Sequence, residues 1–281
     1  MEIVKSIRSM QKLAERWRRQ GKSIGLVPTM GALHQGHLSL IRRSARENDL
    51  TVVSIFINPM QFGPGEDFER YPRRFRQDRE LAEKAGADIV FLPSKNDIYP
   101  EKFGTVVDPG AIAEILEGKA RPGHFRGVAT ICVKLFNIVK PHRAYFGQKD
   151  AQQLAIMLRL VKDLNLDLKI IPCRIVRSPK GVALSSRHAY LDQNDLVKAE
   201  AIHRSLLEAR RMIMAGIRDI EKIKRKIKSV VESRPPLKLE YVSLNSWPDL
   251  IPVRELQGRV LISLVAVIKG IRLLDNIIIK I

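Results

Sequence analysis

The chain is poor in cysteine, poor in aromatics and without a long apolar run, and each shortage removes a class of function. Its 281 residues include two cysteines, Cys132 and Cys173, both in apolar segments and outside any C-x-x-C or Cys/His cluster. That argues against a disulfide scaffold or a cysteine-ligated metal centre, and leaves two reduced, buried packing residues. The longest apolar stretch, residues 260–268, contains Ser263 and ends at Lys269, far too short to span a bilayer. Residues 1–20 mix charge with apolar residues at helical spacing and lack an unbroken apolar region, so no signal peptide and no membrane partner are expected. A cytoplasmic location follows as an expectation. No G-x-S-x-G elbow marks a serine nucleophile, and the chain shows neither repeats nor low-complexity segments.

Charge is abundant. Lys and Arg number 49 against 30 Asp and Glu, a formal +19. Such an excess suits nucleic-acid binding. It equally suits a charge-rich surface on an enzyme with anionic substrates. The distribution favours the second. In residues 217–231 isoleucines recur every three or four positions while Lys fills the outer face, and no basic tract is interleaved with aromatics. No nucleic-acid partner is therefore expected.

Short apolar runs alternate with helical patterns through the first two-thirds of the chain. Strands are expected at 23–27, 50–57, 88–92, 144–146 and 168–176, and helices at 36–47, 74–85 and 151–164. Alternation of this kind implies an α/β fold, a Rossmann-like parallel sheet with helices on both faces. Two basic helices (195–215 and 217–231) and two strands (237–244 and 260–267) then suggest a smaller α+β domain. The expected domains are 1–176 and 177–281.

Ligands of parallel sheets bind beyond the carboxyl ends of the strands, which directs attention to four loops. The first runs Met30, Gly31, Ala32, Leu33, His34, Gln35, Gly36, His37, and its H-x-G-H core opens a helix. There, free N–H groups and the positive end of the dipole favour a phosphate, and Gly36 allows close approach. The second contains Asn58 and Gln61, uncharged groups suited to hydroxyls and carboxylates. The third is Gly147, Gln148, Lys149, Asp150, a turn with a point charge, with Gln153 one helical turn beyond Lys149. The fourth is Leu184, Ser185, Ser186, Arg187, which can close over phosphate oxygens. Taken singly, each also reads as surface histidines, solvated loops or helix caps.

Together, P-T-M-G-A-L-H-x-G-H, S-I-F-I-N-P-M-Q-F, Tyr71-Pro72-Arg73, R-P-G-H-F-R-G at 121–127, F-G-Q-K-D at 146–150, L-S-S-R at 184–187 and R-L-L-D-N at 272–276 resemble the pantothenate synthetase family, in its order. H-x-G-H alone is shared with other HIGH-motif nucleotidyltransferases, such as class I aminoacyl-tRNA synthetases and cytidylyltransferases. N-P-M-Q-F and R-P-G-H-F-R-G are far more specific. The resemblance implies an AMP-forming ligase that joins pantoate to β-alanine through a pantoyl-adenylate. It implies that Met30 to His37, Gly147 to Asp150, Val176 and Leu184 to Arg187 bind ATP, with His37 as catalytic proton donor and His34 and Lys149 beside the phosphates. It further implies that Gln61 and Gln153 hold pantoate, that Gln61 also meets β-alanine, that Mg²⁺ accompanies ATP, and that the enzyme is a homodimer. Asp78 is either a helper for Mg²⁺ or a solvated helix carboxylate.

The residue types suit that chemistry. A carboxylate with a pKa of about 4 is already ionised and needs positioning and charge neutralisation rather than a base. Two alternatives stand beside this reading: another HIGH-motif nucleotidyltransferase, and a nucleic-acid-binding protein on a synthetase-like scaffold. Against the latter, roughly 100 residues after Val176 are few for an anticodon module and carry no aromatic–basic stripe. The chain departs from the family at Ser178-Pro179-Lys180-Gly181, where an acidic stretch is usual, and at Leu184 and His188, where Met and Asn are usual. These departures fall on the loop expected to close over ATP.

Overall fold

Strands form where β-branched residues cluster, and helices where apolar residues recur at three- and four-residue spacing. The computed structural model describes residues 1–281, the side chain of Ala189 aside. The chain divides into two compact units: Met1–Gln148 with Gln152–Arg174, and Lys149–Ala151 with Ile175–Ile281.

In order, the first unit carries β1 (Glu2–Val4), α1 (Ile7–Arg19), β2 (Ile24–Thr29), α2 (Gln35–Glu47), β3 (Leu50–Ile55), α3 (Phe75–Lys84) and β4 (Ile89–Phe91). The short helices α4 (Lys95–Ile98) and α5 (Glu117–Ala120) follow, then α6 (His124–Val139), β5 (Arg143–Gly147), α7 (Ala151–Asp163) and β6 (Lys169–Cys173). The six strands form one sheet in the order β1-β4-β3-β2-β5-β6, and every pairing is parallel. Leu26 of β2 sits opposite Val52 of β3 on one side and Ala144 of β5 on the other. Chain order reverses between β2 and β5, so the carboxyl ends of these two strands mark the switch point of the sheet. Val27, Val53, Val90 and Ile41 pack beneath it with essentially no exposure.

The second unit contains α8 (Gln193–Met214), α9 (Ile220–Glu232), β7 (Lys238–Ser246), β8 (Arg259–Ile268) and β9 (Ile271–Lys280). The strands make an antiparallel sheet in the order β7-β8-β9. Ile223, Ile227 and Val231 on α9 bury against the same core as Val260, Ile262 and Leu264 on β8. The α/β fold with a smaller α+β unit is the architecture expected from the sequence.

Some expected boundaries move. The strand expected over 50–57 stops at Ile55, and that over 168–176 stops at Cys173. The helix expected from 217 starts at Ile220 because Asp219 caps it, accepting from the Lys222 N–H at 2.9 Å. Both cysteines are free and buried. Burial pushes the Cys132 thiol up to about 12 and raises that of Cys173, so neither is a ready nucleophile. Among the described residues, no helix is long and apolar enough to cross a membrane.

Candidate active site

The loop between β2 and α2 has a constrained backbone. Thr29 Oγ1 donates to the Ser54 carbonyl at 2.8 Å, tying the ends of β2 and β3, and accepts from the Gly31 N–H at 3.2 Å. Gly31 and Ala32 then turn left-handed, with φ of +84° and +51°. For alanine that conformation costs about 1 kcal/mol, so something must hold it. Asp78 does. One carboxylate oxygen accepts from the Ala32 N–H at 2.9 Å, and the other from the Leu33 N–H at 2.7 Å. Asp78 is 3% exposed, so it is no solvated helix carboxylate, and both oxygens already face donors.

His34 is the N-cap of α2, and its Nδ1 accepts from the Gly36 N–H at 3.1 Å. His37 reaches back: its Nδ1 accepts from the His34 N–H in a longer contact of 3.4 Å. Together they form a capping box in which imidazoles replace the usual hydroxyl and carboxylate. With Nδ1 accepting in both rings, the neutral tautomer carries its proton on Nε2. The ring centroids lie 4.2 Å apart. The two imidazoles thus stand side by side at the N-terminus of α2.

Gln61 is bound from several directions. Its Nε2 donates to Met30 Sδ at 3.0 Å, which joins the first two loops. Its Oε1 accepts from Asn58 Nδ2 at 3.1 Å. Asn58 also donates to the Gly127 carbonyl at 3.0 Å, and its Oδ1 accepts from the Met60 N–H at 3.3 Å and Tyr99 O–H at 2.7 Å. An asparagine side chain offers two donors and two acceptor lone pairs, so every position is engaged. Asn58 is fully buried as well. Expected as a substrate ligand, it instead holds Gln61, and nothing on it remains to meet pantoate.

The R-P-G-H-F-R-G stretch, to which the sequence assigned no role, completes the support. Arg121 Nη2 donates to the Gln61 carbonyl at 3.1 Å, Nη1 lies 3.1 Å from His124 Nε2, and His124 Nδ1 lies 2.7 Å from the same carbonyl. Since guanidinium only donates, Nε2 accepts and Nδ1–H is the donor to Gln61. Arg121 also pairs with Glu66 through Nε at 2.8 Å and through Nη2. At Gly127 a Cβ would lie 2.2 Å from the Met60 carbonyl oxygen, so α6 packs on the N-P-M-Q-F turn only because glycine is there. Gln152 donates to the Ile112 and Ile115 carbonyls at 2.9 and 2.7 Å and accepts from the Glu117 N–H at 3.0 Å, bracing the segment before Arg121. Its place just after F-G-Q-K-D was the signal available in the sequence.

Gly147 ends β5 beside β2, and Gln148, Lys149 and Asp150 form a short 3-10 turn into α7. Gln153 lies half-buried in the first turn of α7. Lys149 Nζ reaches Asp150 Oδ1 at 3.3 Å, and its carbonyl accepts from Asn276 Nδ2 at 2.8 Å. In the second unit, Val176 and Leu184 are bonded across a narrow hairpin, the Leu184 N–H donating to the Val176 carbonyl at 3.0 Å. Pro179 and Lys180 occupy its tip, closed by the Gly181 N–H donating to the Ser178 carbonyl at 2.9 Å. Lys180 pairs with Glu200 at 3.5 Å, so part of its charge is already answered within the surface. Ser185 caps the turn Ser186–Tyr190, its hydroxyl accepting from the Arg187 N–H at 3.3 Å. Burial, and then the charge of Lys149, hold the His188 pKa below its ordinary value.

Known proteins match this chain along its whole length. The sequence model of the family described as Pantoate-beta-alanine ligase covers residues 2–278. Pantothenate synthetase of Caldicellulosiruptor bescii is 49% identical over 280 residues, covering 100% of this chain and 99% of that protein. That of Thermotoga petrophila is 48% identical over 276 residues, covering 98% and 99%. The crystal structure of pantothenate synthetase from Thermus thermophilus superposes with a TM-score of 0.92 at 38% identity, covering 99% of each chain. That of pantoate-beta-alanine ligase from Francisella tularensis, complexed with beta-gamma ATP and beta-alanine, gives 0.80 at 38% identity over 99% of this chain and 97% of that one. With a family model, relatives and a solved structure that match it from end to end, the chain belongs to the pantoate–β-alanine ligase family.

Proposed function

We propose that this ligase activates pantoate with ATP at the β2–α2 loop and then transfers the pantoyl group to β-alanine. In the first step a pantoate carboxylate oxygen attacks the α-phosphorus, the bond to the bridging oxygen breaks, and pyrophosphate leaves. In the second the neutral amine of β-alanine attacks the acyl carbon, the acyl–oxygen bond breaks, AMP leaves, and the amine loses a proton to form the amide. Neither step uses a protein nucleophile.

The observation that carries this reading is the imidazole capping box at the start of α2, in which His34 and His37 both accept through Nδ1, so that each neutral ring carries its proton on Nε2. Such donors stabilise charge that grows on phosphate oxygens as the α-phosphorus is attacked. His37 is the proposed proton donor and His34 its neighbour at the phosphates. Lys149, Gly147, Gln148, Asp150, Val176 and the segment Leu184, Ser185, Ser186, Arg187 are proposed for the rest of the ATP site. Gln61 and Gln153 are proposed for pantoate, Gln61 also for β-alanine. The Francisella relative, solved with beta-gamma ATP and beta-alanine, supports the choice of co-substrates.

Mg²⁺ is proposed to arrive as part of the nucleotide. Among the described residues, no group of three or more His, Cys, Asp or Glu is placed to hold a metal ion. Asp78, the carboxylate considered for it, has both oxygens on backbone N–H groups. Mg²⁺ bound chiefly by phosphate oxygens and water is the usual arrangement with nucleotides. A cytoplasmic homodimer completes the proposal, on the family resemblance, and sedimentation equilibrium at twice the chain mass would support the dimer.

The test uses ATP, Mg²⁺ and pantoate with and without β-alanine. Labelled pyrophosphate should exchange into ATP with pantoate alone, and net AMP release should require β-alanine. Exchange that strictly requires β-alanine would replace the two-step route with a concerted one. AMP release indifferent to both acids would sink the assignment.

A further inference from the structure

The reaction gives no task to R-L-L-D-N on β9, yet its last two residues are among the most buried polar groups in the chain. Asp275 is 2% exposed and Asn276 1%. Polar side chains are buried at this level only when their hydrogen bonds are satisfied, and these bonds go to two specific places. Asp275 takes a bidentate pair from Arg177, Nη1 to Oδ2 at 2.6 Å and Nη2 to Oδ1 at 2.9 Å. Arg177 also donates to the Gly181 carbonyl at 3.0 Å and pairs with Ala183, so it closes the base of the hairpin between Val176 and Leu184. Asn276 Nδ2 donates to the Lys149 carbonyl at 2.8 Å. The Asn276 N–H in turn donates to Asp275 Oδ1 at 2.7 Å.

Neighbouring residues of a strand point to opposite faces, so one dipeptide can reach two separate segments. We propose that Asp275 and Asn276 are positioning residues for nucleotide activation: Asn276 fixes the backbone that carries Lys149, and Asp275, through Arg177, fixes the hairpin that presents Val176 and Leu184. The proposal rests on the reading of Lys149 as a phosphate ligand. Lysine reaches its target through four rotatable bonds, so the protein can direct the ammonium chiefly by fixing the main chain from which it springs. The 3-10 turn at residues 148–150 is too short to do this by its own hydrogen bonds. A buried amide on a sheet strand supplies a fixed external anchor.

A merely structural Asn276 would lower stability without regard to substrate. A positioning residue has a narrower signature. Asn276→Ala, and Asn276→Ser, which keeps a polar group on β9 but ends short of Lys149, should lower kcat/KM for ATP in pantoate-dependent pyrophosphate exchange roughly tenfold, the scale of one lost hydrogen bond. The KM for β-alanine in the second step should not change. Assays are run where circular dichroism shows each variant fully folded. The decisive comparison is with Lys149→Ala, combined in a double-mutant cycle. If Asn276 acts through Lys149, Asn276→Ala has no further effect on exchange once Lys149 is gone. An equal tenfold loss in the Lys149→Ala background overturns the inference while leaving Lys149 as a ligand. Unchanged exchange in Asn276→Ala and Asn276→Ser also overturns it. Full exchange in Lys149→Ala overturns the phosphate-ligand reading itself, a separate result from the other two.

Discussion

Asp78 in the first unit and Asp275 in the second are both buried carboxylates that fix the backbone of a segment proposed to meet ATP, and they are neutralised differently. Asp78 is compensated by two backbone N–H groups, which carry no formal charge and form part of the loop being held. Asp275 is compensated by Arg177, which is 18% exposed and holds its hairpin at second hand. The first arrangement couples the carboxylate directly to loop shape. The second couples it to a buried ion pair, where removing one partner strands the other. One fold therefore solves the same task with a conformational clamp in one place and an electrostatic one in another.

The comparison predicts unequal losses. Asp275→Asn should cost about 3–5 kcal/mol of unfolding free energy, the scale for breaking a buried pair. Asp78→Asn should cost about 1–3 kcal/mol, the scale for leaving a backbone donor without its acceptor. Urea denaturation of both variants measures this, and an Asp78→Asn loss equal to or above that of Asp275→Asn would break the contrast. Next in size, His37→Ala and Lys149→Ala should each slow adenylation roughly 10²-fold with melting temperature retained, as for loss of one preorganised charge-stabilising group. An active double variant would remove both from the site.

Asp78→Asn sharpens the comparison again at the level of function. The apparent requirement for Mg²⁺ should stay as in the wild type, because its oxygens serve the Ala32 and Leu33 N–H groups. Adding Ala32→Gly should restore part of the lost exchange activity, since glycine adopts positive φ without the clamp. A large rise in the Mg²⁺ requirement would return Asp78 to the metal. A smaller effect concerns pH. His188 has a folded pKa below its unfolded value of about 6.5, so the unfolded chain binds more protons as pH falls through that value. Its contribution to stability is thus intact at neutral pH and declines on acidification, a decline that His188→Asn should partly flatten. His142 and His203, also lowered by burial, sustain the remainder. Least of all, Lys180→Asp should change the KM for ATP at low salt by no more than the effect of one exposed charge, about 0–1 kcal/mol, and by nothing at high salt.

The parallel sheet was legible because β-branched strands such as 50–55 alternate with helices whose apolar faces are marked by spacing. β1 was not, since three residues at Glu2–Val4 carry no period and gain strand structure only by pairing with β4. α6 was hidden for the opposite reason: from Phe125 to Val139 nearly every position is apolar or buried, so no polar face reveals a helix. At the site, the sequence singles out the loops but not who supports whom. Asn58 looks like a ligand because it is polar and follows a strand; its saturation depends on Tyr99 and Gly127, 41 and 69 positions away. Asp78 lies 45 positions from Leu33, a separation no local pattern encodes.

Gly127 has a consequence for how this enzyme can be rebuilt. A methyl group there would collide with the main chain at Met60 and Gln61 rather than with a side chain able to swing away. The N-P-M-Q-F turn and the first turn of α6 are consequently a single heritable cassette, although His124 stands 63 positions beyond the Gln61 carbonyl it meets. A chimera that imports one from a relative without the other inherits two backbones shaped for different neighbours. Recombination within this family should tolerate crossovers on either side of the pair far better than any crossover that splits it.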